Sequence, residues 1–128
     1  MPLFGKKKVG PSLNKDGTVE LDSACMDEYI AKNPRAVVMF YRSTCGHCMI
    51  MEPIFAQLCS EMKGLLSFCK VSTPTNMELV KRHSIKGTPT FVLFVDGKEA
   101  GSIVGERTKE ALKAEIERHL NRPEPKAP

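Results

Sequence analysis

Two periods of hydrophobic and polar positions divide this chain. Ala36-Val37-Val38-Met39-Phe40-Tyr41 is apolar without a break, which predicts a central strand covered on both faces. From about Cys45 to Lys63, Cys48, Met51, Phe55, Leu58 and Met62 recur at spacings of three and four, the buried stripe of a helix. Pro53 should kink that helix, and Gly64 is a natural residue to follow its end. Leu65–Val71 and Thr90–Val95 read as two more strands. Asp96-Gly97 then signals a hairpin, answered by a weaker edge strand, Lys98–Val104.

The remaining segments have clear starts and stops. Thr18–Leu21 reads as a short strand, followed by Asp22 as N-cap of a helix with Met26, Tyr29 and Ile30 on one face. Asn33-Pro34 stops it, because the residue before proline is pushed out of the helical region. Thr75-Asn76-Met77-Glu78 has the form of a capping box and predicts a short helix ending in Lys81, Arg82 and His83. A last helix, from about Arg107 to Leu120, carries Leu112, Ile116 and Leu120 as its stripe. The order is β α β α β α β β α. It predicts an α/β fold with a mixed central sheet sandwiched by helices, parallel where right-handed crossovers join strands and antiparallel at the final hairpin.

Composition fits one domain and narrows its class. The chain has 128 residues, 41% hydrophobic, enough to bury a core without disulfides or metal. Residues 1–17 mix Lys, Gly, Pro, Ser and Asn without period and read as a flexible arm; 121–128 read as a disordered Pro-rich tail, leaving 18–120 as the domain. No apolar run is long enough to span a membrane. The net charge of +4 sits mostly on the two ends, whereas 21–120 holds 13 basic and 12 acidic residues. A folded nucleic-acid-binding face would concentrate the excess on the domain, so that class is set aside. Lys6–Lys8 precede no apolar segment, which argues against a secretory signal, and Pro2 excludes myristoylation. The expectation is a cytoplasmic monomer with reduced thiols.

Chemistry concentrates at Cys45-Gly46-His47-Cys48, where the central strand passes into the kinked helix. Unpaired N–H groups and the dipole at a helix start favour thiolate over thiol. Two cysteines separated by two residues in a first turn can close a disulfide with little backbone movement. Cys45, at the helix start, is the candidate nucleophile; Cys48, one turn inside, is the candidate resolving thiol. An imidazolium at His47 would favour the Cys45 thiolate and make the disulfide a stronger oxidant. Gly46 leaves space for a substrate backbone.

With this tetrapeptide in place, the chain resembles the thioredoxin superfamily over about residues 18–120, with a motif of the protein disulfide isomerase type. Pro53 falls where that family kinks its active-site helix. Gly87-Thr88-Pro89-Thr90 matches its cis-proline loop, Gly105 a glycine beside its substrate groove, and Lys70 a strand lysine beneath the active site. The resemblance implies a thioredoxin fold and a thiol–disulfide oxidoreductase acting on protein disulfides. It also implies a redox-active Cys45–Cys48 disulfide, no bound cofactor, and an external reductase as electron donor. Thr44, Thr88, Pro89 and Gly105 would shape the substrate groove. Oxidase or isomerase is the alternative within the same chemistry, and a binding or adaptor domain the alternative outside it.

The chain also departs from the family. Met39 stands where the family has a buried acid, Thr44 replaces the usual Trp, and Met49 replaces a frequent basic residue. Without the acid, Lys70 is expected to reach solvent. Cys59 and Cys69 read as small core hydrophobes, and Cys25 as more exposed and open to oxidation. His83 and His119 are explained by helix ends. Met49 and Met51 are core by default, or an adaptable substrate-facing patch. Metal ligation by Cys45, His47 and Cys48 is disfavoured, because the proline loop would crowd the open coordination position.

Overall fold

The computed structural model describes residues 10–121. The strands are β1 (Ser12–Leu13), β2 (Val19–Leu21), β3 (Ala36–Tyr41), β4 (Ser67–Ser72), β5 (Thr90–Val95) and β6 (Lys98–Val104). The helices are α1 (Met26–Lys32), α2 (Gly46–Glu61), α3 (Met77–Arg82) and α4 (Lys109–Asn121). The strands form one sheet in the order β1-β2-β4-β3-β5-β6. The unbroken apolar run, β3, therefore lies inside the sheet, parallel to β4 and antiparallel to β5.

Alternation along the strands splits the core into two layers. Val37, Met39, Phe68, Phe91, Leu93 and Ile103 face α2 and α4, meeting Met51, Phe55, Leu58, Leu112 and Ile116. Ala36, Val38, Phe40, Cys69, Val71, Val92 and Phe94 face the other way, against Met26 and Ile30 of α1 and Leu79 of α3. Burying both faces explains why β3 and β5 read as continuous apolar runs. Asp96 and Gly97 both take positive φ, 56° and 77°, the twist a two-residue hairpin demands.

Several sequence expectations are corrected. Residues 10–17 are not all arm: Ser12 and Leu13 pair antiparallel with Glu20 and Val19. Residues 1–9, including Lys6–Lys8, and 122–128 of the tail lie outside the described residues. Asp22 caps the turn that leads into α1 as expected, its carbonyl accepting the Met26 N–H at 3.0 Å. Its carboxylate takes the Ala24 and Cys25 N–H groups, each at 3.0 Å, in a turn just before the helix. The Thr75–Glu78 capping box does not form. Asn76 is the N-cap, and its buried amide bridges elements instead, accepting from the Ser23 N–H at 2.9 Å and donating to the Ser72 carbonyl at 2.8 Å. Leu65 stays exposed outside β4, and α4 starts at Lys109. Cys25 is buried, whereas Cys59 is only half-buried.

Candidate active site

The site is built where β3 ends. Beyond Tyr41 the chain turns, the Cys45 N–H reaching the Arg42 carbonyl at 3.2 Å. Cys45 is the N-cap of α2, with extended backbone at φ −93° and ψ 118°, and its sulfur accepts the Cys48 N–H at 3.3 Å. The thiol thus occupies the place a serine or aspartate takes at an ordinary helix start. No acidic residue lies in the first turn to offset the dipole.

The two sulfurs sit in contrasting surroundings. Cys45 is half-buried and Cys48 is 1% exposed, in the layer beneath α2. Contacts with the Thr88 side chain and then with Cys48 lower the Cys45 thiol to about 7. Burial, with Cys45 beside it, pushes the Cys48 thiol up. At neutral pH the outer sulfur is therefore partly thiolate and the inner one a thiol. All five cysteines are free in this structure.

The loop before β5 closes the other side. The Thr88–Pro89 peptide bond is cis. The Thr88 carbonyl faces Cys45 Sγ at 3.5 Å, and the Thr90 hydroxyl donates to the Gly87 carbonyl at 2.7 Å. Gly105, at φ 92°, donates its N–H to the Pro89 carbonyl at 2.9 Å. That left-handed backbone suits glycine. Cys45, Cys48, Thr88, Pro89 and Gly105 are thus linked contact by contact. Thr44 and Gly46 are exposed on the rim, and a Cβ added at Gly46 would meet nothing within 4 Å.

His47 is exposed and pairs through Nδ1 with the Glu106 carboxylate. That hydrogen bond, then the carboxylate's charge, raises the imidazole above its ordinary 6.5. Sequence reading missed Glu106. Its only signal was an acid next to Gly105, and a sequence separation of 59 hides the contact.

Beneath the thiols Met39 is fully buried. Its neighbour in register is Lys70 of β4. Lys70 does not run to solvent as expected. Its ammonium lies 3.4 Å from the Glu52 carboxylate of α2 and 5.0 Å from the Tyr41 ring centroid, with the side chain 10% exposed. Tyr41 donates to Glu20 at 2.8 Å, and burial with that hydrogen bond raises its phenol. The polar partner of Lys70 has thus moved from the sheet to the helix. Met51 is fully buried, leaving Met49 exposed beside Ile50. Among the described residues, no group of three or more His, Cys, Asp or Glu side chains is placed to hold a metal ion. No described helix is long and apolar enough to cross a membrane.

Comparison with known proteins agrees with this geometry. Protein disulfide isomerase-like 1-3 of Arabidopsis thaliana is 32% identical over 102 residues, 80% of this chain but 18% of that protein. The chain thus spans under a fifth of that relative. The thioredoxin of Mycoplasmoides gallisepticum is 34% identical over 92 residues, 72% of this chain and 91% of that one. A solved mutant thioredoxin from Halobacterium salinarum NRC-1 superposes with a TM-score of 0.75 at 26% identity, covering 91% of this chain and 97% of its own. The fold is the thioredoxin fold, and its Cys-Gly-His-Cys loop has the geometry for dithiol–disulfide exchange. Residues 17–118 match the thioredoxin family itself, and the chain belongs to that family.

Proposed function

We propose that this chain reduces protein disulfides, with Cys45 attacking and Cys48 resolving. The observation that carries the reading is the lowered, half-buried Cys45 thiol at the start of α2, backed by a buried Cys48 whose thiol is raised. The Cys45 thiolate attacks one sulfur of the substrate disulfide. That S–S bond breaks, the departing sulfur takes up a proton, and a mixed disulfide forms. Cys48 then loses its proton and attacks Cys45 Sγ. The Cys45–Cys48 disulfide closes, and the second substrate sulfur leaves and is protonated. The substrate gains two electrons and two protons; an external dithiol reductase returns them to this chain.

Pro89 and Thr88 shape the groove, Gly105 fixes Pro89, and Gly46 and Thr44 keep the rim open. Residues 18–120 form the working unit, acting as a cytoplasmic monomer. The His47–Glu106 pair supports a second reading, oxidation or isomerisation, because a charged imidazole beside Cys45 favours the dithiol.

The test is a glutathione redox titration of the purified chain, with disulfide turnover measured in the same preparation. A potential close to about −270 mV supports the reductase, and one close to about −180 mV the isomerase. Without a reversible disulfide, both readings fail. Cys48→Ser should trap covalent partners through Cys45, which a mere adaptor would not.

A further inference from the structure

Beside the cis-proline loop lies an open cavity of about 390 Å³, between the loop after β3, the start of α3 and the segment before Pro89. Met77, Val80 and Ile85 give it apolar walls, and Arg42 and Lys86 line it with two cations. Thr88 closes the end towards the thiol, and its carbonyl is the one facing Cys45 Sγ. No Asp or Glu lines the cavity. Arg42 and Lys86 are exposed, and neither pairs with a carboxylate among the described residues. Glu78, next to Met77 in the chain, is held by Arg82 at 3.4 Å. The Thr88 N–H has no partner among the described residues, so it is free to meet a bound backbone.

We infer that this cavity selects substrates by taking an extended, acidic stretch of the protein next to the disulfide under attack. The inference rests on the exchange reading and names the substrate class that the site prefers. Apolar walls take the aliphatic parts of the segment, and the two unneutralised cations take its carboxylates. Because 21–120 is nearly balanced in charge, the preference within the domain comes from this local pair. Attraction between surface charges acts on encounter and on register, and salt weakens it.

The experiment uses three peptides that share one disulfide and differ in flanking residues: Glu, Gln or Lys. The rate at which the reduced full chain opens each is measured without other reductant, with hydroxyethyl disulfide as an uncharged reference. At low salt the Glu peptide should react roughly tenfold faster than the Lys peptide, and the ratio should collapse towards one at about 1 M salt. The double variant Arg42→Glu, Lys86→Glu should invert the ratio. Should it not fold, Lys86→Gln, with its circular dichroism matched to the parent, should narrow it. Equal rates for the three peptides, or a ratio indifferent to these substitutions, overturn the inference while turnover of hydroxyethyl disulfide leaves the exchange reading standing. No reaction with hydroxyethyl disulfide overturns both.

Discussion

The two thiols of the motif share a helix turn yet shift in opposite directions from the ordinary thiol value, hydrogen bonds lowering Cys45 and burial raising Cys48. Cys45 meets hydrogen-bonding groups at the helix start, whereas Cys48, one turn into α2, is sealed against the sheet. Alkylation of the reduced chain should therefore rise with a midpoint near pH 7 for Cys45, with Cys48 reacting only at higher pH; mass spectrometry of quenched samples reads both. Because the Cys45 value is lowered on folding from 9.0 to about 7, this thiol should add stability to the reduced form as pH rises between those two values, and that contribution is lost as pH falls through about 7. Glu106→Gln should lower the His47 titration midpoint, slow Cys45 alkylation at neutral pH and make the couple more reducing. An NMR titration in which His47 does not move would remove Glu106 from the tuning of the site. The Lys70–Glu52 pair should be lopsided. Lys70→Met should cost no more than about 1 kcal/mol, because Glu52 is 41% exposed and can turn to water. Glu52→Ala should cost about 1–3 kcal/mol, because it strands a buried ammonium. Urea melts of both variants decide it. Cys45, His47, Cys48 and Pro89 were legible because their signal is local, within a few residues. Glu106 and Glu52 were not, because each acquires its meaning from a partner on another element.

At the level of elements, periodicity carried the reading and one capping motif misled it. β3, β5 and β6 lie where the apolar runs placed them, since burial on two faces or one writes itself into consecutive residues. The Thr75–Glu78 pattern failed for a tertiary reason: Asn76 satisfies backbone groups of two other segments and so takes the position that a local motif would have filled. Asp22, by contrast, caps as its sequence position suggests, taking the Ala24 and Cys25 N–H groups on its carboxylate and the Met26 N–H on its carbonyl. The β1 strand was invisible because two exposed residues carry no period. One contact between elements is tight enough to test. A Cβ at Gly101 of β6 would come within 2.4 Å of the His119 ring of α4, so glycine there lets the last helix lie close on the edge strand. Gly101→Ala should destabilise by about 1–3 kcal/mol, measured as a shift in the urea midpoint at unchanged slope. An unchanged midpoint would mean that the ring swings aside freely.

Across the whole molecule, the sheet sorts the cysteines by side. Cys45, Cys48 and Cys59 belong to the layer of α2, whereas Cys25 and Cys69 belong to the layer of α1 and α3. Cys69 lies in β4, between β2 and β3, fully buried, and burial pushes its thiol up to about 12. Reagents that consume Cys45 at once can reach Cys69 only when the sheet itself opens. Slow labelling of Cys69 in native buffer should track the free energy of global unfolding, and a rate faster than unfolding permits would reveal a local opening at β4. The fold thus carries an internal gauge of its own integrity, written in the same chemistry as its surface site and read on a timescale that the site never visits.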